Sequence, residues 1–290
     1  MALDPRDRDA SLDDARAPLV RVSLPVSGLV VDLMYPTGAE DLLMAEAQTD
    51  DLRLSLALAE RLARAVDDSP IDWAELPVCD LQLLVLRMRQ RLIGDRIVSE
   101  VICKAAACGR RVDISFDVSA YVAHHAPASS LPKGRRWSVE RAAEPGWFRL
   151  VQRAGEAAQD SHVLFRIPVV ADQLAALDSA DAETEIAHRC IRPDAISVAT
   201  RRRVEAAMEA MAPSLADEIA GVCSECGAKL PLFFDPQQFC LRELRERAAF
   251  IYQDVDLLAR RYHWSEREIL AMSYARRATY VELARQQGVS

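Results

Sequence analysis

The apolar positions of the first hundred residues follow two periodicities. β-branched residues alternate with polar ones over residues 20–33, which predicts one or two short strands. Thr37 is followed by Glu40 in the pattern of a capping box, so a helix is expected to begin there. Apolar residues then recur at helical spacing over residues 52–63 and 80–94, which predicts two further helices.

The most regular helical pattern lies near the C-terminus. Asp235 and Pro236 open a segment in which apolar residues recur mostly three and four positions apart as far as Tyr262. This spacing predicts one amphipathic helix of about seven turns. Ser265 and Glu268 then form a second capping box, and a last helix follows it. We expect this part of the chain to form a helical arm.

A stretch with two cysteines occurs twice in the chain. Residues 102–121 read ICKAAACGRRVDISFDVSAY, and residues 221–239 read GVCSECGAKLPLFFDPQQF. When Cys108 is aligned with Cys226, a glycine, a phenylalanine, an aspartate and a second aromatic residue also coincide. Each copy is predicted to be a strand, a cysteine-containing turn, a strand and an Asp that opens a helix. Because the order of the preceding elements also recurs, we infer an internal duplication about a pseudo-two-fold axis.

The two cysteine pairs have the residue type and arrangement of metal ligands. Cys103, Cys108, Cys223 and Cys226 would supply four thiolates to one tetrahedral, structural Zn²⁺ per chain. The pairs lie more than a hundred residues apart and the first is C-x4-C, whereas one zinc ribbon keeps its pairs about 15 to 20 residues apart. The alternative is two hairpins with small buried hydrophobic cysteines, or a site that has lost its metal.

Composition sets the broad class. A chain of 290 residues has room for about two domains, or for one domain and its internal copy, and a hydrophobic content of 50% is ample for a core. The net charge of −8 argues against a basic nucleic-acid-binding face. The seven cysteines are an odd number and the N-terminus has no apolar signal-peptide region, so we expect reduced thiols in the cytoplasm. No apolar run approaches the ~20 residues of a membrane span.

These patterns together predict an α+β fold that is mostly helical. It would consist of two pseudo-repeats, each with helices and a zinc-ribbon-like β-hairpin, plus a C-terminal helical arm. The predicted units are a disordered tail at 1–19, a first repeat at 20–123, a connector at 124–145, a second repeat at 146–235 and the arm at 236–290.

The motifs of the common enzyme classes are missing from the sequence. It contains no HExxH, no GxSxG, no phosphate-binding loop and no glycine-rich dinucleotide turn, and four thiolates leave zinc no open position. We therefore expect no enzymatic activity. The alternative to a structural role is a zinc-ribbon nucleic-acid-binding protein, in which arginine runs contact phosphate. Three of the four arginine runs lie on predicted helices, where a solvated face is the simpler interpretation.

Four stretches together resemble a known family. TGAED at 37–41, LPVCDLQLLVLRMRQRLIGD at 76–95, the cysteine turn followed by an aromatic residue and Asp, and YHWSEREILAMSYARRATYVELA at 262–284 resemble the baseplate-hub and tail-assembly proteins of contractile-tailed bacteriophages. The branch encoded with phage-derived contractile injection systems is the more similar one. The resemblance covers most of 29–285 and is strongest over 221–285. It implies an assembly role between the central spike or hub and the tube or wedge proteins, inside a phage-tail-like particle. The C-x4-C pair departs from the tighter turn of the family.

Large amphipathic side chains gather at the turns of the predicted arm. They are Tyr262, His263, Trp264, Arg276, Arg277 and Tyr280. Aromatic and arginine side chains dominate protein interfaces, so we expect this corner to contact another baseplate, hub, spike or tube protein. One of the paired arginines would donate to a carboxylate or carbonyl of that partner. The alternative is that the aromatic residues pack the arm against its own body.

Overall fold

The computed structural model describes residues 18–49, 51–152 and 163–287. Of the described residues, 45% are helical and 24% lie in strands, which form four small antiparallel sheets. The predicted mostly helical fold is therefore wrong, because helices and sheets share the structure. Residues 1–17 of the predicted disordered tail lie outside the described residues.

The N-terminal part combines a three-stranded sheet with three helices. Its elements are strand β1 (Pro18–Ser23), strand β2 (Val30–Met34), helix α1 (Gly38–Glu46), helix α2 (Leu52–Leu62), strand β3 (Ala63–Ala65) and helix α3 (Val78–Leu92). The strand order is β1-β2-β3. The predicted capping box at the start of α1 is confirmed, since the backbone N–H of Thr37 donates to the Glu40 carboxylate at 2.8 Å.

A two-stranded hairpin follows α3. It consists of strand β4 (Arg96–Ile102) and strand β5 (Arg111–Asp117), and helix α4 (Val118–His124) continues from it. The predicted strand, cysteine turn, strand and helix are all present in this first copy.

The middle of the chain forms a four-stranded sheet of order β6-β7-β8-β9 with its own core. Its elements are strands β6 (Trp137–Arg141), β7 (Trp147–Gln152), β8 (Val163–Arg166) and β9 (Ile191–Arg192), and helices α5 (Val170–Leu177), α6 (Ala182–Cys190) and α7 (Val198–Met211). The predicted pair of pseudo-repeats is wrong. The N-terminal part has a three-stranded sheet where a repeat would require the four strands found here. Strand β6 also lies inside the predicted connector.

The C-terminal part begins with a second hairpin and continues as helices. Its elements are strands β10 (Asp217–Val222) and β11 (Lys229–Phe234), then helices α8 (Pro236–Ala248), α9 (Ile251–Tyr262), α10 (Glu266–Leu270) and α11 (Tyr274–Gln287). The predicted seven-turn helix is broken between α8 and α9. None of the helices in the described ranges combines the length and apolar character that a membrane span requires.

Helix α8 belongs to the main core, so the predicted arm does not begin at residue 236. Cys240, Leu241 and Leu244 of α8 are fully buried in one cluster with residues of the N-terminal sheet and of α1 to α3. A separate small cluster joins α9, α10 and α11 around Leu258 and Ile269. The helical extension of the fold is therefore restricted to these last three helices.

Candidate metal centre

The two hairpins pack face to face. At their bases, the rings of Phe116 in β5 and Phe234 in β11 meet edge to face with centroids 5.0 Å apart, within the main core. Further out, Val112 and Leu230 lie in a small cluster with the cysteines. Because side chains alternate across a strand, each hairpin turns one face towards the other and carries its turn to the far end. The two cysteine-containing turns therefore meet away from the main core.

The four predicted cysteine ligands converge at this end. Their Sγ atoms all lie within 4.8 Å of one another. Two contacts between the hairpins are shorter, at 3.8 Å between Cys103 and Cys226 and 3.9 Å between Cys108 and Cys223. A tetrahedron of sulfurs about 2.3 Å from a central zinc has edges of about 3.8 Å. The arrangement is thus compatible with a metal site made by both hairpins.

The backbone of each turn is folded around the first cysteine of its pair. The N–H of Cys103 donates to Arg110 and the N–H of Cys223 donates to Ala228, both at 2.8 Å. The glycine after the second cysteine has a left-handed backbone in both turns, with φ of 59° at Gly109 and 72° at Gly227. Glycine adopts this conformation without the steric cost that a Cβ would add. The two glycines therefore account for the closure of turns of different length.

The electrostatics of the cluster favour anionic sulfur at one position and oppose it at another. Desolvation acts to raise the pKa of Cys223, but hydrogen bonds from the backbone N–H groups of Cys226 and Glu225 outweigh it and lower the pKa to about 7. At Cys226 a backbone hydrogen bond from Ala228 acts to lower the pKa, yet desolvation and the nearby sulfurs outweigh it and raise the pKa. Four thiols this close hold four negative charges only when a cation lies between them, which suits a thiolate-bound metal.

The remaining cysteines lie in other environments. Burial raises the pKa of Cys79, Cys190 and Cys240 to about 12. Cys190 and Cys240 are fully buried in two different cores. Cys79 is partly buried, and none of these three thiols belongs to the site that the other four cysteines share.

The aromatic residues of the predicted interface contact one another. The rings of Tyr262 and Trp264 stack with centroids 4.6 Å apart, and Tyr280 meets Trp264 edge to face at 4.9 Å. All three are partly buried against the small cluster of α9, α10 and α11. These rings therefore pack within their own helices, as the alternative interpretation of the sequence had it. Their contact with a partner protein stays a prediction.

The charged residues of the predicted interface divide into an exposed and a buried set. His263 and Arg276 are exposed, and His263 ends α9 with a left-handed backbone. Arg277 is 2% exposed and donates to the buried carboxylate of Asp41 and, at 3.2 Å, to Asp254. The prediction that Arg277 reaches a partner is therefore corrected, because its guanidinium is used inside the chain.

Sequence reasoning missed this buried charge network. Asp41, on α1, is 1% exposed and accepts from Arg277, while Arg247 lies 3.6 Å away from its other oxygen. Gly38 allows α1 to approach Leu270 and Arg277 closely, since a Cβ at this position would lie 2.9 Å from both the Leu270 Cα and an Arg277 nitrogen. The signal in the sequence was an aspartate on the inward face of α1, three residues before the buried Met44.

Comparisons with known proteins give one match. A family described as "T4 bacteriophage base plate protein" matches residues 18–240. No curated protein and no solved structure matches the chain. The matched range contains both hairpins and all four cysteines of the candidate metal centre, whereas α9, α10 and α11 lie beyond its end.

Proposed function

The chain belongs to the T4 bacteriophage base plate protein family, and from this premise we propose that it is a structural or assembly component of the hub region of a contractile, phage-tail-like baseplate. One Zn²⁺ bound by Cys103, Cys108, Cys223 and Cys226 stabilises it. The observation that carries the proposal is the convergence of these four sulfurs, from two separate hairpins, inside the region that matches the family.

The donor set supports zinc and a structural role. Four cysteine sulfurs are a preferred ligand set of structural zinc, and the two separations of 3.8 and 3.9 Å between the hairpins match the edge of a zinc–thiolate tetrahedron. Bound zinc would supply a rigid cross-link there, since four protein ligands leave no position open for water or substrate. The chain's own contribution is to orient the sulfurs through the glycine turns and the backbone hydrogen bonds. We accordingly assign no enzymatic activity to this centre.

The hairpin pair would be held together at both of its ends. Each hairpin is a two-stranded sheet, which is marginally stable alone. The Phe116 and Phe234 contact fixes the hairpins at their bases, and the metal would fix them at their tips. The centre would thus act as a clamp between chain segments that are remote in sequence.

We place the contact with hub, spike or tube proteins at the exposed side of α9 to α11. His263 and Arg276 are exposed there, and Arg276 lies beside the Tyr280 ring at 6.0 Å. The assignment to the hub rests on the resemblance of residues 262–284 to hub and tail-assembly proteins. A partner carboxylate would receive a charge-assisted hydrogen bond from Arg276, which is available because it is not used in the buried network.

Particle composition tests the proposal. Contractile particles and their assembly intermediates would be purified from cells that produce a tagged chain, and their proteins quantified by mass spectrometry. We expect the chain in the hub-containing fractions, with zinc bound. Its absence from both finished particles and intermediates would overturn the proposed role.

Two exposed side chains test the contact surface without disturbing the fold. The double substitution of His263 and Arg276 by alanine should leave the melting temperature and zinc content unchanged and reduce incorporation into baseplates. Arg285→Ala, on the same last helix and also exposed, is the matched control and should be incorporated normally. Equal incorporation of both variants would move the interface elsewhere on the molecule.

A further inference from the structure

Two sulfur contacts between the hairpins involve two separate pairs of cysteines. Cys103 lies 3.8 Å from Cys226, and Cys108 lies 3.9 Å from Cys223. The pairs share no residue, so two bonds can form in one molecule, and each bond would join one hairpin to the other. A disulfide needs a separation of about 2.05 Å, so the two sulfurs of each pair must approach by about 1.8 Å.

We propose that the centre is also an oxidation site. When the metal is lost, a peroxide converts its four thiols into the disulfides Cys103–Cys226 and Cys108–Cys223, which keep the hairpins joined. The inference rests on the four-cysteine site of the proposed function, but it does not require that the metal be zinc.

Accessibility determines which sulfur reacts first. Cys226 is exposed, Cys108 is partly buried, and Cys103 and Cys223 are buried. Oxidation by peroxide depends on both the thiolate character and the exposure of a cysteine. Cys223 has the lower pKa but is buried, so the exposed Cys226 is the first sulfur that a peroxide meets. Cys103, whose sulfur lies 3.8 Å away on the other hairpin, is positioned to resolve the product.

The reaction balances with hydrogen peroxide as the oxidant. The Cys226 thiolate attacks one peroxide oxygen, the O–O bond breaks, and a sulfenic acid forms while hydroxide leaves. The Cys103 thiolate then attacks the sulfenic sulfur, the S–S bond forms and the S–O bond breaks. The two hydroxides take up the two thiol protons and become water. A second peroxide does the same for the other pair, so four thiols and two peroxides give two disulfides and four waters.

The cross-links would span long segments of chain. The bonded residues are 123 and 115 positions apart in sequence. Long closed loops restrict the unfolded chain strongly, so the oxidised, metal-free protein should melt at a higher temperature than the reduced, metal-free protein. The partly buried Cys79 and the buried Cys190 and Cys240 lie outside the centre and should stay reduced.

Peptide mapping without reduction tests the pairing. The full-length protein is stripped of metal by a chelator under reducing conditions, freed of reductant, treated with hydrogen peroxide and quenched in acid. The intact mass should fall by about 4 Da, because each disulfide loses two hydrogens. Linked peptides should join Cys103 to Cys226 and Cys108 to Cys223. Bonds within each hairpin, or sulfinic acids without any disulfide, would overturn the proposal.

Two variants and one separate measurement complete the test. Cys226→Ser should lose about 2 Da and retain only the Cys108–Cys223 bond, while Cys79→Ser should behave as the wild type. Any other bond in Cys226→Ser counts against the assigned pairs. The zinc content of the untreated sample is measured independently. A protein without zinc but with these two disulfides contradicts only the proposed metal, and bonds within the hairpins of a zinc-containing protein contradict only this inference.

Discussion

Residues of one type have different roles in this molecule, and environment separates them. Cys226 lies exposed in a cluster of four sulfurs, whereas Cys240 is fully buried among leucines of the main core. Arg276 is exposed and the adjacent Arg277 is buried against carboxylates. The sequence predicted the cysteine cluster because spacing and flanking residues mark it. It could not separate the two arginines, since the partner Asp41 lies 236 positions away.

The two kinds of cysteine should respond differently to substitution. Cys226→Ala should abolish zinc binding and, with free zinc at about a thousand times its dissociation constant, lower the free energy of unfolding by about 4 kcal/mol. Cys240→Ala is the control; it should keep the metal and cost about 1 kcal/mol through lost burial. Chemical denaturation with and without zinc measures both. Equal losses in the two variants, independent of zinc, would count against the metal centre.

Asp172 provides a pH-dependent contribution to stability. It is 1% exposed and accepts two hydrogen bonds from Arg166 at 2.6 and 2.7 Å. Burial acts to raise its pKa, but the hydrogen bonds from Arg166 and from the Val169 N–H outweigh it, so the pKa lies below the ordinary 3.8. A carboxyl with a depressed pKa stabilises the fold above its unfolded pKa and loses that stabilisation as pH falls through the folded pKa.

Asp172→Asn should therefore lower the free energy of unfolding at neutral pH, and lower it less in acid. We expect a loss of about 3 kcal/mol at pH 7, because Arg166 is left without its charged partner. The difference in free energy of unfolding between the variant and the wild type should become smaller below pH ~4, as the wild-type carboxylate becomes protonated. Urea unfolding of both proteins across this range checks the sign. A gap that stays constant with pH would show that the carboxylate charge is unimportant.

Among the helices and strands, the sequence predicts local features such as caps, but it does not predict which core each helix packs against. The capping boxes at Thr37 and Ser265 form because all their atoms come from a few neighbouring residues. The predicted continuous helix divides at Ala249, because α8 packs in the main core and α9 packs with α10 and α11. A continuous apolar stripe does not reveal that its two halves face different cores. The periodicity therefore predicted one helix where the structure has two.

The junction between α1 and the C-terminal helices depends on one glycine. In Gly38→Ala the new Cβ would lie 2.9 Å from the Leu270 backbone, which cannot move as freely as a side-chain end. We expect a loss of about 1–3 kcal/mol from this overpacking, despite the better helix propensity of alanine. Gly221→Ala is the control, since its nearest atom lies at 3.6 Å. Thermal unfolding that ranks the two variants equally would contradict the close contact.

At the scale of the whole molecule, the fold brings together segments that the sequence separates widely. The two cysteine pairs could be matched from the sequence because the residues that flank them are similar. The order of elements did not predict that one half has a three-stranded sheet and the other a four-stranded sheet. Strand number and pairing depend on long-range contacts that a similar order of helices and strands does not specify. The duplication was therefore inferred too broadly.

X-ray absorption at the zinc edge of the purified full-length protein tests directly for a four-cysteine zinc centre. We expect one zinc per chain, surrounded by four sulfurs at about 2.3 Å, with no nitrogen or oxygen neighbour. The Cys226→Ala protein should contain no zinc when it is prepared in the same way. A protein that contains no zinc when prepared without chelators, or a zinc with nitrogen or oxygen ligands in the wild type, would contradict a four-cysteine centre between the two hairpins.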